Sequence, residues 1–299
     1  MPAGEKTSTM KQIRRWTVCA AGLLLAVSSQ VILAQGKRPA EASGESAKAI
    51  PPIHMFDNLW YVGSDYVSSY VLKTSAGLVM IDSNYRDFPG KTVEAMKAVG
   101  LDAKDVKYLI ITHGHIDHFG GAKLFQGLSD ARIAMTEADW ALMEQSNRGG
   151  ADGIVHQGDR DMVIRDGDSL TIGDTALKFY VTPGHTPGVA SMEFPVFDEG
   201  KKYKAFLFGG HNVTSNQPEA FEMFIESVKR LQATLKDVDV SLTSHPWAAN
   251  ILERSQKLAA RKVGDLNPYV APQEFKAFLQ ERLEDAQTRL AAARKAAGN

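Results

Sequence analysis

Short hydrophobic runs separated by polar and glycine-containing segments dominate the sequence from about residue 58 onward. Runs of this length are typical of β-strands when they are rich in β-branched and aromatic residues and are flanked by Gly, Ser or Asp. They occupy residues 59–62, 69–72, 78–81, 108–111, 132–135, 162–164, 169–172, 176–181, 190–194, 203–208 and 238–242. The dipeptide Asp166-Gly167, which separates two of these runs, is a strong hairpin signal.

Helical spacing of the apolar positions occurs between these runs. The predicted helices are 88–99, 121–126, 137–145, 219–235 and most of 247–299, with a break at 264–272. The strand and helix order of the first half returns loosely in the second half. We therefore expect an α/β fold in which two β/α halves pack sheet against sheet, with helices outside and the loops of both halves at one shared edge.

The first 34 residues have the pattern of an export signal. Basic residues precede an apolar stretch at residues 18–27, which is too short to span a bilayer comfortably. Cleavage after Ala34 would leave a flexible lead-in over residues 35–52 and one folded domain, with its C-terminal helices, over residues 53–299. We expect a periplasmic protein without membrane contact after cleavage. An uncleaved anchor is a second interpretation of the same stretch.

The composition is that of an ordinary globular protein, with 44% hydrophobic and 23% charged residues in a chain of 299. The net charge is −1, and loss of residues 1–34 would remove four basic residues and one acidic residue, leaving 30 Lys and Arg against 34 Asp and Glu, or −4. Neither value indicates a nucleic-acid partner. The single cysteine, Cys19, excludes a disulfide within the chain, and zinc ligation by thiolate is not expected.

The clearest chemical signal is a motif of three histidines and one aspartate, His113-Gly114-His115-Ile116-Asp117-His118. It follows an apolar run, so the motif is expected on a loop at the C-terminal end of a strand. Imidazoles and carboxylates are common zinc ligands, and a glycine between two of them permits a sharp turn. We predict that His113 and His115 bind one ion while Asp117 and His118 face a second.

Three further histidines, His185, His211 and His245, each lie just past a strand-like run. Equivalent strand ends of packed sheets cluster in space, so these side chains can converge on the motif. We assign His185 to the first ion, which leaves one open position, as in catalytic zinc sites. His245 joins Asp117 and His118 at the second ion, and His211 is an extra ligand or a near neighbour. Asp82, at another strand end, is either a turn cap or an acceptor that orients a ligand imidazole.

Two zinc ions at such a site would share a water and lower its pKa towards about 7. The expected reaction is attack of a metal-bound hydroxide on an acyl carbon, with one ion polarising the carbonyl oxygen and the other stabilising the leaving group. Asp117 is expected to orient the nucleophile. The chain shows no glycine-rich phosphate-binding motif.

These motifs resemble the metallo-β-lactamase superfamily. The resemblance runs from about residue 56 to the C-terminus and includes His113-x-His115-x-Asp117-His118, Gly184-His185-Thr186, Ser244-His245-Pro246 and Asp166-Gly167-Asp168-Ser169-Leu170. The Asp-His ending of the first motif and the lack of a ligand cysteine are most similar to subclass B3. The resemblance implies a four-layer αβ/βα sandwich, two zinc ions, periplasmic location and β-lactam ring opening, hence antibiotic resistance. It carries the ligand roles over to His113, His115, His185, Asp117, His118 and His245.

His211 departs from the family pattern. Many superfamily hydrolases have a bridging Asp at this place, subclass B1 has Cys and typical B3 enzymes have Ser. The substitution argues against a glyoxalase II site or a typical lactonase site, which use that Asp. Imidazole is itself a competent ligand, so His211 bears directly on the occupancy of the second zinc site.

The leading hypothesis is a monomeric zinc hydrolase that opens small-molecule β-lactams. The same site acting on another exported lactone, ester or amide is the main competing hypothesis, because fold alone does not fix the reaction. A mononuclear iron dioxygenase and a periplasmic metal-holding protein are two weaker hypotheses. The substrate range depends on the loops at residues 148–159 and 211–218, and His156 in the first of these is interpreted as a solvated histidine.

Overall fold

The computed structural model describes residues 47–86, 88–148 and 158–296. The predicted signal at residues 1–34, most of the predicted lead-in and His156 lie outside the described residues. None of the helices described in these ranges combines the length and the apolar character that a membrane span requires.

The strands of the first sheet are antiparallel at one side and parallel at the other. They are β1 (Ile53–Phe56), β2 (Leu59–Tyr61), β3 (Tyr70–Thr74), β4 (Gly77–Ile81), β5 (Val106–Ile110), β6 (Arg132–Thr136) and β7 (Met162–Ile164), in that spatial order. Pairing is antiparallel from β1 to β4 and parallel from β4 to β7.

The second sheet is mostly antiparallel. Its strands are β8 (Ser169–Ile172), β9 (Thr175–Val181), β10 (Ala190–Asp198), β11 (Lys201–Phe208) and β12 (Val240–Thr243), in the spatial order β12-β11-β10-β9-β8. Only β11 and β12 pair in parallel.

The helices of the described residues follow the predicted positions closely. They are α1 (Pro89–Ala98), α2 (Ile116–Phe119), α3 (Ala122–Ser129), α4 (Glu137–Arg148), α5 (Pro218–Thr234), α6 (Ile251–Ala259) and α7 (Pro272–Ala296), with short 3-10 turns at Ala103–Asp105 and Pro246–Ala249. The four-residue helix α2 begins at Ile116, inside the His113–His118 motif where the sequence pattern predicts a loop, and ends one residue beyond the motif at Phe119.

Three hydrophobic clusters show how the layers pack. The first cluster lies between the two sheets and includes Ile110 of the first sheet and Leu207 of the second. The second cluster joins the outer face of the first sheet to helices α1 to α4 and includes Trp140, which is fully buried. The third cluster joins Phe208 of the second sheet to α5 and α7. The predicted α/β sandwich of two mixed sheets with helices outside is confirmed.

The hairpin predicted at Asp166-Gly167 is wrong. Strand β7 before it pairs with β6 in the first sheet, whereas β8 after it pairs with β9 in the second sheet. The dipeptide therefore turns the chain from one sheet to the other, and Gly167 has a φ of +81°. The hairpin forms one strand later, between β8 and β9, where Gly173 has a φ of +58°. A turn signal is local, whereas sheet membership depends on distant pairing partners.

Candidate metal centre

The candidate ligands reach one edge of the sandwich because each follows the carboxyl end of a strand. The His113–His118 motif follows β5, His185 follows β9, His211 follows β11 and His245 follows β12. Two groups of side chains result, and the ligand atoms within each lie within 4.8 Å of one another: His113, His115 and His185 in the first, and Asp117, His118 and His245 in the second. The convergence and the grouping match the sequence-based assignment.

Hydrogen bonds at Nδ1 orient four of the candidate ligand imidazoles. The Nδ1 of His185 lies 2.8 Å from the Asn212 carbonyl oxygen, and the Nδ1 of His245 lies 2.7 Å from the Tyr66 carbonyl oxygen. A carbonyl oxygen only accepts, so both Nδ1 atoms carry a hydrogen. A neutral imidazole has one N–H, and the Nε2 atoms of His185 and His245 therefore keep free lone pairs.

Asp82 orients the other two imidazoles, those of His118 and His113. Its Oδ2 accepts from Nδ1 of His118 at 2.8 Å and from the Thr112 hydroxyl at 2.8 Å. That hydroxyl accepts in turn from Nδ1 of His113 at 3.0 Å. Asp82 thus serves as the orienting acceptor, one of its two predicted roles. Carboxylates and carbonyls behind the ligand histidines are typical of metal sites, because they hold the ring orientation and raise its basicity.

The first group has the spacing of a shared cation. The Nε2 atoms of His113 and His185 lie 3.1 Å apart, and neither carries a hydrogen, so their lone pairs face each other. Zinc binds imidazole nitrogen at about 2.0–2.1 Å, which places two tetrahedral ligands about 3.3 Å apart. A cation between the two nitrogens would convert this repulsion into two bonds, so the first group fits a zinc ion.

The second group has the same unsatisfied character. The Nε2 of His118 is buried without a hydrogen-bond partner. The Oδ2 of Asp117 lies 3.4 Å from this Nε2 and 3.9 Å from the Nε2 of His245. One carboxylate oxygen and two imidazole nitrogens thus face a common point, and this donor set also fits zinc.

The electrostatics favour neutral imidazoles throughout the first group and at His245 of the second group. Burial, followed by repulsion from the neighbouring imidazoles, lowers the pKa of His185 to about 3 and that of His245 to about 4. Burial also lowers the pKa of His113 well below its usual range and lowers that of His115. These imidazoles are unprotonated at neutral pH, which is the form that binds metal.

The second group attracts positive charge. Burial lowers the pKa of His118, but the carboxylates of Asp117 and Asp82 outweigh burial and raise it to about 10. Burial raises the pKa of Asp117, but the nearby imidazoles outweigh burial and hold it well below its usual range. Asp117 is therefore ionised at neutral pH, and a proton on His118 would compete with a metal ion for this place.

A cavity of about 350 Å³ opens onto both groups. Its lining residues are Tyr66, Tyr85, His115, Asp117, His185, His211, Asn212, Thr214, His245 and Trp247. The rings of Tyr66 and Trp247 pack against the His245 imidazole, with ring centroids 5.3 Å and 4.4 Å from it. The cavity thus has an aromatic wall beside the second group.

His211 lines the cavity but belongs to neither donor group. Its ring centroid lies 5.4 Å from that of His245, and its buried Nδ1 has no hydrogen-bond partner. The structure therefore places His211 as a near neighbour of the second group, and its role as an additional ligand stays a prediction.

Sequence reasoning missed the carbonyl acceptors and the aromatic wall. The carbonyl oxygens of Tyr66 and Asn212 orient ligand imidazoles, and backbone groups carry no residue-type signal. Thr112, which precedes the motif, could have been found as a hydroxyl next to a ligand histidine. Trp247 could have been found as an aromatic residue two positions after His245.

Comparison with known proteins identifies the domain. A family model described as the metallo-beta-lactamase superfamily matches residues 62–196, a range that holds the whole first donor group with Asp117 and His118. The chain contains a metallo-beta-lactamase superfamily domain. The solved structure of BJP-1, a subclass B3 metallo-beta-lactamase of Bradyrhizobium japonicum, is 27% identical, covers 83% of this chain and 96% of that one, and gives a TM-score of 0.75. The structural neighbours of this superfamily domain are mainly subclass B3 enzymes.

The curated relatives are more varied. A hydroxyacylglutathione hydrolase of Maricaulis maris is 33% identical over 85 residues, which is 28% of each chain. The human mitochondrial persulfide dioxygenase ETHE1 is 27% identical over 166 residues, or 55% of this chain and 56% of that protein. Two further curated relatives are matched over 50% and 54% of their length, so the chain spans about half of each.

Proposed function

We propose that this protein is a zinc-dependent hydrolase that opens the β-lactam ring. The observation that carries the proposal is the pair of donor groups at one cavity, in which at least three imidazoles present unprotonated Nε2 atoms and one carboxylate is ionised. Similarity to a subclass B3 enzyme over 83% of the chain supports the β-lactam substrate.

The residues of the chain supply the positions that such a reaction requires. His113, His115 and His185 would hold one ion, and Asp117, His118 and His245 would hold the other. When bound, zinc ions polarise carbonyl oxygens and make water a nucleophile at neutral pH. The ionised Asp117 lines the cavity, where it can accept a hydrogen bond from an attacking water and fix its direction. The rings of Tyr66 and Trp247 form one wall of the cavity, and this wall would exclude water from one side of a substrate bound there.

Hydrolysis of another lactone, ester or amide at the same site is the second candidate function. One observation favours it: a hydroxyacylglutathione hydrolase is among the relatives. A mononuclear iron dioxygenase would need only two histidines and one carboxylate, and the six ligands of the two donor groups exceed that requirement.

Export to the periplasm is part of the proposal. The signal pattern of residues 1–34 supports it. We expect the exported protein to act as a monomer on a small-molecule substrate.

Metal content and turnover test the proposal together. We expect about two zinc ions per chain in excess metal, and hydrolysis of penicillin, cephalosporin and carbapenem that a chelator abolishes. The variant His211→Ser, which restores the typical subclass B3 residue, is expected to change the activity. Turnover of a lactone panel without any β-lactam turnover would reject the β-lactamase assignment and support the second candidate. A single iron per chain would reject both.

A further inference from the structure

The first turn of α4 lies between the two loops that carry the first donor group. Asp139 in this turn is completely buried. Its Oδ2 accepts hydrogen bonds from the Gly114 amide at 3.2 Å and from the Thr186 hydroxyl at 2.6 Å. Its Oδ1 accepts one from the Gly188 amide at 3.1 Å. One buried carboxylate therefore receives three donors from two distant segments of the chain.

These donors are immediate neighbours of the first donor group. Gly114 separates His113 from His115, and Thr186 directly follows His185. The Asp139 side chain touches none of these imidazoles in the hydrogen bonds it makes, so it acts on them through their backbone neighbours. The three hydrogen bonds of Asp139 form a bridge between the His113–His115 loop and the His185 loop and so fix the separation of these two loops.

Close packing leaves the bridge little freedom. A Cβ added at Gly114 would lie 2.6 Å from the carbonyl oxygen of Asp139, so the motif loop rests directly on the α4 backbone. On the other side, the Thr136 hydroxyl donates to the Gly188 carbonyl oxygen at 2.6 Å. The junction of β6 and α4 thus contacts both loops through backbone and side chain.

A carboxylate is the chemistry that this place requires. Two amide N–H groups and one hydroxyl all point towards Asp139, and an ionised carboxylate accepts at both oxygens. An asparagine of the same shape would turn an NH₂ group towards at least one donor, which leaves a buried donor unsatisfied.

We propose that Asp139 is a positioning residue for the first metal: it holds the His113–His115 loop and the His185 loop at the separation that lets their imidazoles share one ion. This inference rests on the proposed function, because it requires that the first donor group binds zinc. Residues behind the ligands of zinc sites typically change metal affinity about 10- to 100-fold when they are replaced.

The test compares Asp139→Asn with a matched control, Glu137→Gln, in the same helical turn. Both changes replace an acid by its amide near the N-terminus of α4, but Glu137 is 68% exposed and pairs only with Arg160 among the interactions described for it. Both are made in a His245→Ala background, which removes one ligand of the second group and leaves the first group intact. Zinc affinity is measured by competition with a chromophoric chelator, and folding by circular dichroism.

We expect Asp139→Asn to weaken zinc binding about 10- to 100-fold and Glu137→Gln to leave it unchanged. Cobalt bound in place of zinc has a visible spectrum that reports the ligand geometry. A loss of stability alone does not change this spectrum. The spectrum should change in Asp139→Asn and stay unchanged in Glu137→Gln.

A second pair keeps the proposal testable if Asp139→Asn does not fold. Thr186→Val removes the hydroxyl that donates to Asp139, whereas Thr186→Ser retains it. We expect Thr186→Val to weaken zinc binding and to shift the cobalt spectrum. Thr186→Ser should leave both the zinc affinity and the cobalt spectrum unchanged.

The outcomes separate the two proposals. If the His245→Ala protein binds zinc and both Asp139→Asn and Thr186→Val bind it equally well, the positioning role is wrong and the proposed function stands. If neither the unsubstituted protein nor the His245→Ala protein binds zinc, the proposed function fails and the inference fails with it.

Discussion

Replacing Asp82 tests the hydrogen bonds behind the ligands, and its effect can be worked out from the structure. The carboxylate is 1% exposed and accepts from the Thr112 amide at 2.7 Å, the Thr112 hydroxyl at 2.8 Å and Nδ1 of His118 at 2.8 Å. Asp82→Ala removes all three hydrogen bonds and deprives a buried imidazole, whose pKa is raised to about 10, of one of its two carboxylates. Breaking a buried ion pair from one side costs about 3–5 kcal/mol of unfolding free energy.

The assay is urea unfolding of the metal-free protein at neutral pH. A loss of about 3–5 kcal/mol is a large part of the about 5–15 kcal/mol that stabilises a typical domain. Asp102→Ala is the control, because its carboxylate accepts only the exposed Lys104 amide at 2.9 Å in the contacts described, and losing such a cap costs about 0.5–2 kcal/mol. If Asp82→Ala destabilises the protein no more than Asp102→Ala does, the buried hydrogen bonds of Asp82 do not stabilise the fold as expected.

Four further predictions concern the pH dependence of zinc binding, the pH dependence of stability, the side chain of Asn212 and the core. Zinc must displace a proton from His118, so the zinc affinity of the second group should rise about tenfold per pH unit from about pH 7 to about pH 9. The zinc affinity of the first group should stay nearly constant over the same range. Chelator competition at each pH measures both affinities. In the metal-free protein, the raised pKa of His118 stabilises the fold fully below about pH 6.5, and urea unfolding should show this stability declining as the pH rises towards about 10. Asn212→Ala should change zinc affinity by less than about tenfold in the same competition assay, because the backbone carbonyl that holds His185 at 2.8 Å remains. Trp140→Ala, at a completely buried position whose indole donates to the Met162 carbonyl at 2.9 Å, should cost about 3–5 kcal/mol in urea unfolding.

The convergence of the candidate ligands could be predicted from the sequence because each imidazole follows an apolar run that ends at the same edge of a sheet. The dense spacing between His113 and His118 indicates metal ligands, and metal binding by these side chains stays a prediction. The assignment of Asp117 and His245 to one group follows from the same geometry. Asp82 could be placed at a strand end, but two roles fit that position equally well until its contact with His118 was seen.

The rest of the site depends on contacts that the sequence does not mark. The carbonyl oxygen of Tyr66 reaches His245 across 179 positions, and Asp139 reaches Thr186 across 47. Neither contact follows from residue type, because an aspartate in the first turn of a helix is equally typical of a surface position that favours the helix dipole. The error at Asp166-Gly167 has the same origin, since the sheet that a strand joins is decided by distant partners.

In the proposed function, imidazoles from distant strand ends meet to hold two zinc ions. Anomalous X-ray scattering at the zinc edge, from crystals of the zinc-loaded protein, locates these ions. We expect two peaks, one among His113, His115 and His185 and one among Asp117, His118 and His245. The proposed function is wrong if the map has no peak at this edge of the sandwich, or if His185 or His245 is turned away from any metal.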